Sequence, residues 1–313
     1  MPWSTRESDA DGPRVPQGPS SGSPQGRLQA AQTGPLQWAR SWSLGFRNPS
    51  ARTAALVLLL LIVVAGFAHR IAPWGPFQMT ADSFAPPGRI HLFGTDDLGR
   101  DVLSGVVHGA RVSLLVGFLA AATSTTVGIC VGSLAGFYGG WLDAFLMRTT
   151  DFFQVLPRFF VALLVAAMLG AEMWNVILVI GFLGWPQVAR LIRGEILSLN
   201  QREFVQASRA VGGVNARILL RHILPNALPS AVVAGSLDVG QAILLEAGLS
   251  FLGIGDPNLA SWGKMLNNAQ RFLRTAWWMS LFPGLAIFVT VLAVNLAGDG
   301  LNDALDPRLR RRA

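Results

Sequence analysis

Six runs of mostly apolar residues divide the chain, at 54–71, 112–137, 159–169, 176–191, 228–254 and 279–297. A helix needs roughly 20 such residues to cross a bilayer, so each run predicts a membrane span. The third is short unless it starts near Phe152, with Asp151 at its edge, and the fifth is interrupted by polar residues. The expected fold is therefore all-α and integral to the membrane, with six transmembrane helices. In the second run Gly128, Gly132 and Gly136 recur at every fourth position, which strips one helical face of side chains. Another backbone can approach that face closely, as in a packed helix bundle. Pro186 within the fourth run predicts a kink that serves either gating or the shape of the bundle.

The polar stretches between these runs set an orientation. Arg6, Arg14, Arg27, Arg40, Arg47 and Arg52 precede the first run, and Arg193, Arg202, Arg209, Arg217 and Arg221 lie between the fourth and fifth. The positive-inside rule puts both stretches in the cytoplasm. Six spans return the C-terminus, with Arg308, Arg310, Arg311 and Arg312, to the same side. Trp74, Trp277 and Trp278 then fall where an outer aromatic belt would anchor at headgroup level.

Composition agrees with a lipid environment. Hydrophobic residues make up 51% of the chain and charged ones 14%, against roughly 25% charged in soluble domains. The net charge of +7 follows the flanks of the apolar runs, which speaks against a nucleic-acid partner. A single cysteine, Cys130 in an apolar run, excludes an internal disulfide framework and reads as a small buried packing residue. Residues 1–50 are rich in Pro, Gly, Ser, Gln and Arg and predict a disordered tail. Within it, 36–46 carries Trp38, Trp42, Leu44 and Phe46 and suits the membrane interface. The expected organisation is this tail, a first span in 51–75, an external segment 76–110, a core of five spans in 111–305 and a basic tail 306–313.

The link 193–226 is too polar to span, yet it keeps a helical pattern free of Pro and Gly from Glu195 up to Gly212. It predicts a short helix from Glu203, with a small face at Ala207 and Ala210, ended by Gly212 and Gly213. A second short helix over 214–222 follows, then a break at Leu224 and Pro225 where the fifth span begins. Helix, Gly turn, helix and Pro break together make a rigid protruding knuckle.

This segment resembles the EAA loop of ABC importer permeases, a Glu-Ala-Ala triplet followed at set distances by Gly and by Leu-Pro. Here the triplet reads Gln206-Ala207-Ser208, the Gly is Gly212 and the Leu-Pro is Leu224-Pro225. Gln replaces the leading acid and Ser the second Ala, while Glu203 keeps an acid on the helix. Arg221-His222-Ile223-Leu224-Pro225-Asn226 is similar to the dipeptide, oligopeptide and nickel branch in particular. So are Phe93-Gly-Thr-Asp-Asp-Leu-Gly-Arg-Asp101, Gly136-Phe-Tyr-Gly-Gly-Trp-Leu-Asp143, Ala247-Gly-Leu-Ser-Phe-Leu-Gly253 and the ending 297–307. The order of these blocks resembles the C-type permease of such systems, with a type I importer fold and a cytoplasmic coupling helix.

The resemblance implies a homologous second permease, one or two ABC ATPase subunits and an extracytoplasmic solute-binding protein as partners. It implies an inner-membrane location and coupling through Glu203, Gln206, Ala207, Ser208, Gly212, Leu224 and Pro225. No Gly-x-x-x-x-Gly-Lys-Ser/Thr run occurs, so ATP and Mg are expected on the partner ATPases and no cofactor in this chain. The branch carries di- and oligopeptides, nickel chelates or related small solutes.

Asp238, Gln241 and Glu246 interrupt the fifth span, where an ionisable group is either functional or paired inside the bundle. Asp238 and Gln241 share a helical face, with Glu246 roughly 80° round and about 12 Å along the axis. Lining a pore for a charged amine and hydrogen-bonding between helices both remain open for these three. The block Asp96, Asp97, Arg100 and Asp101 reads either as a docking surface or as a solvated turn. His69, His91, His108 and His222 are scattered, so neither a metal site nor a catalytic centre is expected. A secondary transporter or membrane enzyme is the competing class; the first should show an internal repeat of broken helices.

Overall fold

The computed structural model describes residues 49–305. The expectations for the tail before residue 49 and for 306–313 lie outside the described residues. The chain forms α1 (Pro49–Gly66), α2 (Ala68–Ile71), α3 (Val102–Tyr138), α4 (Gly140–Val155), α5 (Arg158–Leu169) and α6 (Met173–Asn200). Then come α7 (Glu203–Ala210), α8 (Asn215–Ile218), α9 (Leu224–Phe251), α10 (Trp262–Ala269) and α11 (Trp278–Leu305). Extended pairing among the described residues is limited to two isolated bridges, Met79 with Arg100 and Thr95 with Asp101. The described residues have the expected all-helical architecture.

Five helices are long and apolar enough to cross a membrane, and α4 with α5 makes a sixth if that pair is one span. The expected third span is thus broken, with an 88° bend between its halves. Pro157 explains the bend: it offers no N–H to the preceding turn and holds Leu156 extended, at φ −70° and ψ 130°.

Several elements run longer than the apolar runs that announced them. α3 begins at Val102, ten residues early, because the Asp101 carboxylate accepts from the Ser104 N–H at 2.8 Å and caps the helix. α6 continues to Asn200, so Arg193 is not in a link. It lies on a helix and grips Asp143 of α4 through two hydrogen bonds of 2.6 Å. The expected break at Leu224 and Pro225 is also absent. The Leu224 N–H reaches back five residues to the Leu219 carbonyl, closing a π turn over Leu219–Ile223. This wider turn absorbs the proline, and helix runs on through it.

α3 is the central staff of the bundle and packs most extensively on α6, then on α9. A Cβ placed on Gly128 would lie 2.5 Å from Val188 Cβ, and one on Gly136 2.9 Å from the Arg193 carbonyl. At Gly132 it would meet the Ala189 carbonyl itself. The two backbones therefore touch along this seam, and any larger side chain would separate them. Cys130 lies off the seam and is exposed, not buried.

At one end of the bundle, 72–101 and 252–277 form an ordered cap. Trp278 is buried and its indole donates to the Thr95 carbonyl at 3.0 Å, so it ties the cap to α11 rather than sitting in an aromatic belt. Phe93 stacks on Phe282 at 3.9 Å. Trp262 is fully buried and donates to the Val106 carbonyl.

Candidate functional site

At the opposite end, the segment from α7 to the start of α9 protrudes as a knuckle. Val205 is its root: fully buried, it packs with Phe137, Ile192, Ile196, Ile218 and Ile223. Arg209 adds a hydrogen bond to the Asn200 side chain at 2.7 Å and lies over the Phe137 ring. Gln206 donates to the Asn200 carbonyl. Gly212, at φ +81°, ends α7 in the left-handed conformation that glycine favours. Behind it the Gly213 N–H donates to the Ser208 carbonyl at 3.0 Å.

The outward side of this knuckle is apolar and uncovered. Phe204, Ala207 and Val211 lie three and four residues apart on one helical face, with Val211 89% exposed. Val214, 68% exposed, continues the ridge past the turn. Glu203 and Gln206 are exposed beside it, Ser208 is half-buried, and Leu224 and Pro225 sit below at the foot of α9. A rooted helix with a bare apolar ridge presents the kind of face by which amphipathic helices enter grooves.

Asp238, Gln241 and Glu246 of α9 separate into two environments. Glu246 is buried, accepting from Ser250 Oγ at 2.7 Å and from Ser113 Oγ of α3 at 3.4 Å. Ser113 Oγ also accepts from the Trp262 N–H at the start of α10. Glu246 thus joins three helices inside the core. Gln241 is exposed and faces a cleft of about 650 Å³, which Phe153, Gln154, Arg158, Gly184, Gln187 and Arg190 also line. Asp238, on the same side, approaches Arg158 at 3.7 Å. At its rim Arg190 pairs with Asp151 at 2.7 Å.

The structure also assembles residues that looked unrelated in sequence. His69 and His108 stack edge to face at 5.1 Å, and Arg111 reaches His69 at 3.2 Å. Among the described residues no group of three or more His, Cys, Asp and Glu is placed to hold a metal ion. In the cap, Asp101 is buried against His91 at 2.9 Å, so it is structural and not part of a solvated turn. Asp96 accepts from the N–H groups of Leu98 and Arg100, and its burial pushes the carboxyl above the ordinary range. Burial, then the neighbouring Arg100 charge, lowers the Lys264 ammonium.

Residues 128–311, covering the α3–α6 seam, the knuckle and α9, match the model of the binding-protein-dependent transport system inner membrane component. The chain belongs to that family. It is a multi-pass permease subunit of an ATP-binding-cassette importer. A protein of Brucella suis named as a peptide permease is 42% identical over 291 residues, covering 90% of this chain and 94% of its own. The glutathione transport system permease protein GsiD of Escherichia coli is 42% identical over 276 residues, 87% of this chain and 91% of its own. The dipeptide transport system permease protein DppC of Alkalihalophilus pseudofirmus is 37% identical over 275 residues, 87% and 90% respectively. A chain of the inward-facing methionine ABC transporter MetNI shares the fold, with TM-score 0.54 at 19% identity over 64% of this chain and 97% of its own.

Proposed function

We propose that this permease carries short peptides inward across the membrane. The names of the Brucella, Escherichia and Alkalihalophilus relatives, which cover nearly its whole length, support a peptide cargo. In this reading a second, homologous permease closes the pathway and a solute-binding protein delivers the peptide at the capped end. One or two ABC ATPases bind ATP and Mg and engage the knuckle, whose exposed ridge at Phe204, Ala207 and Val211 is the observation that carries the coupling role. Both termini lie in the cytoplasm with the knuckle, because Arg202, Arg209, Arg217 and Arg221 cluster there. Closure of the ATPases then moves the knuckle, and the helices rooted to it, as a rigid body.

Two experiments test this. Tagged chain purified in mild detergent should bring down a second permease and ATPase subunits; a chain recovered alone that transports without ATP would refute the proposal. Gly212→Asp is a poor probe of coupling, since its backbone is left-handed and an added side chain strains the turn itself. Ala207→Asp, on the exposed face of α7, leaves the turn intact. It should preserve insertion while cutting ATP-driven dipeptide uptake at least tenfold, because a charge is desolvated in the contact. Unchanged uptake would refute the coupling role.

A further inference from the structure

An arginine that sequence patterning passed over stands beside the middle of two long helices. Asp238 is 14 residues into the 28-residue α9, about 21 Å from its start. Gln187 is 14 residues into α6, also of 28. Arg158, the first residue of α5, lies beside both because the chain turns at Pro157 halfway through its broken span. The cleft between them thus lies near the middle of both helices, and Arg158, Gln154, Gln187 and Gln241 give it a polar lining of the kind that is costly against lipid.

The guanidinium is held in place but under-used. A Cβ on Gly184 would lie 2.9 Å from Arg158 Nη2, so the group rests directly against the α6 backbone. Its contact with Asp238, at 3.7 Å, is longer than a hydrogen bond. Its Nε is buried and has no partner among the described residues, and the same holds for the nearby Ser124 Oγ. An arginine offers five N–H donors in a planar fork that fits a carboxylate. The cleft volume of about 650 Å³ lies within the roughly 300–1,000 Å³ usual for small-ligand sites.

We infer that Arg158 binds the carboxylate of the passing solute in this cleft, with Asp238 positioning the guanidinium and offering an acceptor to an ammonium group. This rests on the peptide reading above: a free dipeptide carries both charges, and the two side chains present the complementary pair. Arg158 then adds a selection step inside the membrane for solutes with a free acid.

The test uses the whole complex, with its partner subunits, in sealed vesicles. Uptake of Ala-Ala is compared with uptake of its C-terminal amide, which lacks the carboxylate. Arg158→Gln should lower uptake of the acid about tenfold or more while leaving that of the amide within about twofold, since a charge-assisted hydrogen bond is lost for one only. Arg158→Lys, which keeps the charge and loses the fork, should fall between. Equal losses for acid and amide in both variants would assign Arg158 a structural role and overturn the inference. So would unchanged uptake of both, or loss of the second permease from either variant, which would make the cleft a subunit contact.

A second readout does not depend on the cargo. In a Cys130→Ser background, Gln241→Cys is labelled with an anionic or a cationic methanethiosulfonate. The ratio of anionic to cationic rates should fall severalfold on Arg158→Gln, and an unchanged ratio would overturn the inference. Wild-type complex that imports neither dipeptide would refute the peptide reading, and the labelling ratio would still decide the role of Arg158 as an anion site.

Discussion

Two stretches of one helix show how the same residue type can be structural or available. Near one end of α9, Glu246 is enclosed by Ser113, Ser250 and the start of α10, with both oxygens engaged. Two turns away, Gln241 lines an open cleft, and Asp238 behind it has its nearest cation, Arg158, standing off at 3.7 Å. A buried acid whose acceptors are satisfied holds helices together, whereas one beside an under-used arginine can exchange partners. The difference comes from the neighbours: three elements converge on Glu246, while α5 begins only at the bend and leaves space beside Gln241.

Substitutions in the two stretches should therefore separate stability from transport. Glu246→Ala should have the largest effect, destabilising the chain by about 3 kcal/mol or more, since buried serines lose an acceptor and a void opens. Thermal unfolding of the purified complex measures it, with uptake lost in proportion to folded protein. Glu246→Gln keeps the volume and acceptor oxygen and should cost less, about 1 kcal/mol. An Ala variant as stable as wild type would place Glu246 outside the packed core. Asp238→Asn should change stability by only about 0.5 kcal/mol, because the pair is long and its arginine is one-third exposed. It should nonetheless alter uptake of free dipeptides, and a large fall in unfolding temperature would instead make Asp238 a packing residue. Gln241→Ala, on an exposed position, should be the mildest in the same unfolding assay, within about 0.5 kcal/mol.

The membrane helices were legible because hydropathy alone decides what lipid accepts. Their ends were less so: α3 gained ten residues from a cap at Asp101, and α6 ran on to Asn200 where the sequence turns polar. Polar residues at a helix end are compatible with both helix and loop until a partner such as Asp143 is known. Pro225 looked like a break for the same reason. A local rule cannot foresee that a π turn will supply the missing bond five residues back.

Sequence by itself determined the number and order of apolar segments, the bare glycine face of α3, the helix and Gly turn of the knuckle, and the family motifs. Each depends on interactions within a few residues or on the choice between lipid and water. Only the tertiary structure decided that α6 lies against that glycine face, that Trp278 is buried while Cys130 is exposed, and that His69 meets His108. It also decided that Glu246 binds helices together while Arg158 is turned towards Asp238. Helical periodicity gives a residue its face but not the neighbour of that face. That neighbour is set by how α3, α5, α6 and α9 pack together, and it is what makes one polar residue a bond and another a site.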